Sequence, residues 1–472
     1  MADFYAQFDK VERAAFHYGS NAVPLRTKPG EPFADQAHYR KFITACHRGF
    51  SIAQNTVLEM LIANAADSTL SDEEKERREL LLRKVIDGIL YTMVRMQTWI
   101  TRRIVLHDEP PALDFAAIAQ AKKLVDEMNT QDRMTFAALA DLTTFVHIGD
   151  AVQVDRKDGG SRLRFIEIKE GAVNELLTEQ LQHYPVNTES LAQIKQDPAI
   201  NPSHQRQAVR MMRQRIRMEQ ATEVLETDQG TDIKWNIPIR MNHEMINEVS
   251  YRRQFNDSCV SAIESGAAVF TVNYCLHFAA TMNSIKQSRL AAQQGARLAL
   301  LESMKKAVPA LQEYYRKNAE PDGLQKKAFP LLDVIHSNLH AVPVTPFFCW
   351  NLDDRVVRAI VRDQIHICCC FDLPAMFFVM EKSGLRGVLS TRSEAMKVFG
   401  KFGKGAAPDF EGRIVKIIHP EKKTERFLLA GAYSRFVNNL HSPYSFFIKM
   451  KEHWSEVMDD MEPVSHEPPS PT

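Results

Sequence analysis

The feature that most constrains this chain lies between Leu142 and Lys169, where the spacing of apolar residues changes from a helical period to a period of two. Two runs, Phe145 to Asp155 and Ser161 to Lys169, flank Asp158-Gly159-Gly160 and predict a β-hairpin. Successive strand residues point to opposite faces, so one face of the first strand should carry Val146, Ile148, Asp150, Val152 and Val154. On the second strand Leu163, Phe165, Glu167 and Lys169 share a face. Two acids and a lysine thus interrupt apolar rows. A charge on a buried face is costly unless it is neutralised by a partner, shifts its pKa or holds a metal.

Helical patterns surround the hairpin. Runs at about His38 to Ala65 and Ser71 to Ile104 predict a helical hairpin, the second opening on Ser71 with Glu73 and Glu74 in its first turn. After the Pro110-Pro111 break comes a helix at about Phe115 to Asn129, and beyond the hairpin lie helices at about Ala172 to His183 and Gln205 to Glu226. The pieces KWNIPIR and AAVFTVNYCLHF read as strands that could extend the hairpin's sheet. A helical run from Lys286 to about Arg316 leads into a mixed C-terminal unit and a Pro/Ser-rich tail. With 472 residues, several packed units are expected. The expected division is a helical N-terminal domain over 1–110, a core over 111–285, a C-terminal α/β domain over 286–460 and a disordered tail over 461–472.

Composition limits the partners. Apolar content of 44% and charged content of 25% suit a globular chain, and neither a membrane-length apolar run nor a secretory leader is legible, so a cytoplasmic protein without a membrane partner is expected. Lys plus Arg and Asp plus Glu both number 59, so any basic surface must be local. The seven cysteines contain no C-x-x-C pair, and Cys368, Cys369 and Cys370 inside IHICCCFDL read as small core hydrophobes.

Two carboxylates from neighbouring strands suit a hard divalent cation such as Mg²⁺ (or Mn²⁺), which takes oxygen ligands and keeps several waters. With a held ammonium beside them, such a centre is equipped to hydrolyse a phosphodiester. The residues resemble the PD-(D/E)XK superfamily of restriction-endonuclease-like nucleases: Gly149-Asp150 is followed by Glu167-Ile168-Lys169 in the context RFIEIKEG. Glycine stands where that family's motif has proline. The resemblance implies an α+β (α/β-like) core with a mixed sheet flanked by helices. It implies that Asp150 and Glu167 bind the metal, that Ile168 contributes its carbonyl, and that Lys169 is the catalytic lysine. It also suggests Glu127 as an acid from the preceding helix, and Gln180 with Tyr184, in EQLQHY, as residues from the following one. By analogy, the nuclease reading suggests prokaryotic defence or mobile-element biology, with a homo-oligomer or a defence-system partner protein gating cleavage.

The acid-x-Lys spacing recurs at Glu73-Lys75, Asp155-Lys157, Asp232-Lys234 and Glu421-Lys423, so an ordinary ion pair on a sheet surface is the alternative for Glu167 and Lys169. Arg206, Arg210, Arg213 and Arg217 recur at i, i+4, i+7 and i+11, one helical stripe that can track phosphates or simply face water. KVFGKFGKG fails Walker A spacing, because Val398 stands where glycine is needed. His147 alternates onto the face opposite Asp150 and reads as structural. A metal-dependent nuclease, with DNA favoured over RNA, is the expectation. An inactive nucleic-acid-binding or regulatory protein on the same fold, or a helical interaction scaffold, are the alternatives.

Overall fold

The computed structural model describes residues 2–24, 33, 35–94, 96, 101, 104–105, 110–156, 162–168, 172–227, 229–231, 233, 238–240, 249–282, 285–306, 309–318, 332–333, 345–402 and 407–454. The chain divides into two compact units, Met1–Ile239 with Asn338–Trp350, and Arg240–Ser337 with Asn351–Thr472. Together they make an α+β protein with small antiparallel sheets. No helix among the described residues is long and apolar enough to cross a membrane.

The first unit begins with helices α1 (Ala2–Glu12), α2 (Tyr18–Ala22), α3 (Gln36–Ala66) and α4 (Asp72–Met93). Ser71 caps α4 by accepting the Glu74 amide, and three acids occupy its first turn, where they favour the helix dipole. From Leu80 onward α4 is buried almost all round. Helix α5 (Phe115–Gln131), capped by Asp114, then leads into a meander of β1 (Thr135–Leu139), β2 (Ala151–Asp155) and β3 (Arg162–Ile166). The strand order is β1-β2-β3, with Leu139 opposite Ala151 and Ala151 opposite Ile166. Helices α6 (Ala172–Leu181), α7 (Ser190–Gln196) and α8 (Gln205–Thr227) follow and share a core of Leu177, Leu181, Ile194, Ala208, Met212 and their neighbours. Short strands β4 (Gln229–Thr231) and β5 (Pro238–Arg240) pair separately.

Side chains bind the meander to the helices. Gln54 of α3 accepts the Leu139 amide at 2.9 Å, and Asn129 of α5 both accepts the Ala137 amide at 2.7 Å and donates to its carbonyl at 3.0 Å. The free edge of β1 is thereby paired with side chains rather than with another strand. Phe136 packs on Phe50 and His47 of α3. Burial holds the His47 imidazole down to about 4, so it stays neutral against the Arg133 carbonyl.

Helix α4 also carries charge into this core. Arg83, Lys84 and Asp87 are all buried, and each engages the segment after β1. Arg83 donates to the Thr143 carbonyl and to the Asp141 carbonyl. The Asp87 carboxylate accepts the Thr144 amide at 2.7 Å and its hydroxyl at 2.6 Å, while Lys84 lies 3.1 Å from that carboxylate and 3.1 Å from the same hydroxyl. Buried ions persist only when paired and hydrogen-bonded in this way.

This network explains where the fold departs from the alternation pattern. The strand expected from Phe145 is confined to Ala151–Asp155, because the backbone of 141–144 bonds to α4 instead of a neighbouring strand. The buried strand β1, in the Ala-rich run TFAAL, was not predicted: buried on both sides, it has no polar-apolar alternation to reveal it. Helix α4 ends at Met93 rather than near Ile104, with Met96 in the left-handed region. Helices α3 and α4 belong to the same compact unit as the meander. Residues 345–350 return to that unit, Phe348 stacking on Phe16 and the Thr345 hydroxyl meeting Tyr91.

The second unit contains α9 (Arg252–Ser265), α10 (Ile285–Lys305), α11 (Pro309–Asn318), α12 (Asp354–Val361), α13 (Leu373–Lys382), α14 (Arg392–Phe402), α15 (Ala430–Val437) and α16 (Pro443–Glu452). Its larger sheet has the order β6-β7-β9-β8, from β6 (Ala267–Val272), β7 (Leu276–Met282), β8 (Leu332–Asp333) and β9 (Ile365–Phe371). AAVFTVNYCLHF is therefore a hairpin of this sheet, turning at Asn273 and Tyr274, and does not extend the first unit's meander. The hairpin lies within the compact unit that begins at Arg240. Cys368, Cys369 and Cys370 are buried in β9, and Cys368 and Cys370 meet Ala292 and Ala296 of α10. A second sheet, β10 (Arg386–Leu389), β11 (Val415–His419) and β12 (Thr424–Phe427), completes the unit. The tail over 461–472 lies outside the described residues.

Removing one member of the α4 network should be far worse than an ordinary surface change. Asp87→Ala, which removes the carboxylate that pairs with the Lys84 ammonium and accepts the Thr144 amide, should cost about 3–5 kcal/mol. Urea unfolding of the full chain measures this. A loss below about 1 kcal/mol would show that the buried charges do not hold the segment.

Candidate active site

The ends of the three meander strands meet at Asp150. Its carbonyl accepts the Ala140 amide at 2.9 Å, its amide donates to the Ile166 carbonyl at 2.8 Å, and its carboxylate accepts the Ile168 amide at 2.5 Å. The last ladder pairs are Leu139–Ala151 and Ala151–Ile166; beyond them the Asp150 amide bonds to Ile166 as well, so Asp150 and Ala151 both face Ile166 and the register does not run on to Glu167. Asp150 directly precedes β2 and Glu167 directly follows β3, so the two acids singled out from the alternation pattern flank the paired strand ends Ala151 and Ile166.

Gly149 makes this corner possible. Its φ is +70°, and a Cβ there would stand 2.7 Å from the Ile166 carbonyl oxygen. Proline, with φ locked near −65°, cannot adopt this conformation, which gives a physical reason for glycine in the motif's proline position. Because the residue lies immediately before Asp150, the left-handed turn also aims the acid.

A third carboxylate, not anticipated from the sequence, belongs to the group. Asp141 sits in the 3-10 turn Ala140–Leu142 directly after β1. Burial pushes its carboxyl up to about 6 from an ordinary 3.8, and the negative charges of Asp150, Asp114 and Glu167 push the same way against the lowering effect of Arg83. Such strain between acids is characteristic of functional sites. The signal was an acid closing an apolar run, as at Asp150, but it could be read only once β1 was recognised. Among the described residues no group of three or more His, Cys, Asp or Glu side chains is arranged to hold an ion.

The remaining candidates are more scattered. Lys169 lies outside the described residues. Ile168 is half-buried, and its amide serves the Asp150 carboxylate, which leaves its carbonyl as the group the family resemblance assigns to a metal. Gln180 donates to the Ala199 carbonyl at 3.2 Å, and Tyr184 donates to Asp197. Both thus bond to the turn before α8. Glu127 is exposed on α5, two residues before the Asn129 that pairs with β1. His147 is half-buried in the bend between Thr144 and Gly149, where no strand alternation applies.

On α8 the sequence stripe is an exposed stripe. Arg206, Arg210, Arg213 and Arg217 are all exposed, and among the described residues no carboxylate pairs with them. Opposite them Val209, Met212 and Ile216 are buried against α6 and α7. No family model matches the chain, and comparison with curated proteins and with solved structures finds no significant match.

The raised Asp141 carboxyl makes stability depend on pH in a definite direction. Between about pH 4 and 6 the folded chain binds a proton that the unfolded chain has lost, so stability falls as pH rises through this window. Asp141→Asn should therefore stabilise the protein at pH 7.5 by on the order of 2 kcal/mol and give little or no gain at pH 4. Thermal melts at the two pH values read the difference. Equal effects at both would mean that Asp141 does not titrate against its neighbours.

Proposed function

We propose that this chain is a divalent-metal-dependent nuclease with a PD-(D/E)XK-like, restriction-endonuclease-like centre, acting on DNA in preference to RNA. The observation that carries the reading is Asp150, held by backbone bonds at the strand ends beside Asp141, whose carboxyl is pushed up by burial and then by the charges of Asp150, Asp114 and Glu167. The donor set is made of oxygen atoms alone, which fits Mg²⁺ or Mn²⁺ and not a soft metal. Asp150, Glu167 and the Ile168 carbonyl would hold the ion, whose chemistry is to acidify a water and stabilise charge on the scissile phosphate.

The protein's own contributions follow from the site. Asp150 is held on both sides by backbone bonds, so its carboxylate is fixed before substrate arrives and costs little reorganisation. Glu167 lies just past the end of β3, near enough for its charge to act on Asp141. The Lys169 ammonium would position the attacking water and neutralise charge developing on the phosphate. The exposed arginines of α8 would hold the nucleic-acid backbone, an interaction that carries no sequence information. A binding or regulatory protein without turnover is the second reading. It is favoured by the Ile168 amide, which already occupies one oxygen of Asp150.

Purified protein incubated with plasmid, linear DNA and RNA, with and without Mg²⁺ or Mn²⁺, should cleave only with metal and act on DNA in preference to RNA. Asp150→Asn and Glu167→Gln should each abolish cleavage without unfolding the chain. Lys169→Ala should lose cleavage while keeping metal and nucleic-acid binding, and Lys169→Arg should also be poor, since a planar guanidinium cannot replace a compact ammonium. If Lys169 merely pairs with Glu167, the alanine variant loses stability and the arginine variant is rescued. A fully active Lys169→Ala protein defeats the catalytic assignment.

A further inference from the structure

Helix α8 is two-faced. Over residues 205–218 the exposed positions are Arg206, Arg210, Arg213 and Arg217 and no others, all within about 60° of azimuth at the usual 100° per residue. Past that point the buried side reverses. Ala221 and Val224 fall on the arginines' own azimuth and are buried, Val224 lying against Gly230 of β4. The exposed acids Glu219, Glu223 and Glu226 emerge on roughly the opposite side. The basic track therefore has a definite end at Arg217, where its face turns into the protein.

This charge order opposes helix stability. Cations belong near a helix C-terminus and anions near its N-terminus, yet α8 is basic first and acidic last. Arg206 with Arg210, and Arg213 with Arg217, are like charges at i and i+4, a spacing that destabilises a helix by a few tenths of a kcal/mol per pair. A face serving only solvation would favour mixed charges, with acids first. In a chain whose positive and negative residues balance at 59 each, the row is also not a by-product of net charge.

We infer that the N-terminal half of α8 is a bounded clamp for the phosphate backbone of duplex DNA, about 16 Å long and able to neutralise at most four phosphates, which ends at Arg217. The choice of polyanion rests on the nuclease reading; the clamp itself rests on α8. The exposed positions offer no aromatic ring, which single-strand binding uses for base stacking. They also offer donors alone, with no side-chain acceptor for the 2′-hydroxyls read in duplex RNA. Phosphates held at fixed spacing along a rigid duplex suit donors held at fixed spacing along a rigid helix.

The test uses the full chain in EDTA, with fluorescence anisotropy on a short duplex DNA, its separated strand and the matching duplex RNA, titrated with salt. Duplex DNA should bind most tightly. The combined variant Arg206→Gln, Arg210→Gln, Arg213→Gln and Arg217→Gln should flatten the log-log salt slope by about 0.9 for each phosphate that is no longer neutralised. Its thermal midpoint should hold or rise, because the repulsion is gone. The control Glu219→Gln with Glu223→Gln, which changes net charge on the other side, should leave the slope unchanged. Preference for the single strand or for duplex RNA, a control that shifts the slope as much as the arginine variant does, or a fall in that variant's midpoint would each overturn the clamp. Binding without metal-dependent cleavage in the unmodified chain removes the nuclease reading and leaves the clamp. Cleavage with an unchanged salt slope in the arginine variant removes the clamp alone.

Discussion

The buried charges of α4 are the constraint from which the candidate site descends. Arg83, Lys84 and Asp87 lie where desolvation would cost several kcal/mol per ion, and they are compensated by one another and by the backbone and hydroxyls of 141–144. Because those partners lie between β1 and Asp150, the compensation has a geometric consequence. The chain leaves β1, is gripped by α4 through Thr143 and Thr144, and re-enters the sheet only after the left-handed turn at Gly149. Asp141 is set at one end of the gripped segment and Asp150 at the other, which brings two acids nine residues apart in sequence within electrostatic reach.

The same corner concentrates unfavourable terms. Burial and the charges of Asp150, Asp114 and Glu167 hold the half-buried Asp141 carboxyl above its ordinary range, while Gly149 takes its left-handed φ without a side chain to strain. Nothing in the packing of the meander itself requires acids there, since its neighbouring pairs Val152–Phe165 and Val154–Leu163 are apolar. A carboxyl raised by burial and by neighbouring acids is a pattern common at functional sites, and it supports the reading proposed above. Helix α8 repeats the pattern on a smaller scale, with like charges aligned on one face and an order that opposes the helix dipole.

Much of this was legible in local sequence. The period of two around Asp158-Gly159-Gly160 located β2 and β3, because alternation is a local property of extended backbone. Helical periodicity located α3, α5, α6 and α8 within a few residues, and Ser71 announced the start of α4. The apolar context of Cys368, Cys369 and Cys370 was enough to place them in a core. The arginine stripe was equally readable, since its exposure follows from the apolar residues on the other side of the same helix.

What the amino-acid order by itself determined, then, was the set of local elements and the side of each on which charge would appear, because these depend on neighbours a few residues apart. Tertiary structure alone decided that β1 exists, since a strand buried on both sides has no alternating signature. It also decided that Gln180 and Tyr184 brace a turn, and that Asp141 belongs with Asp150 and Glu167. The hairpin of β6 and β7 was assigned to a different sheet by the same means. Each of these turns on which distant group satisfies a buried donor, acceptor or charge. A one-dimensional pattern states that such a demand exists, and only the packed chain shows which residue meets it.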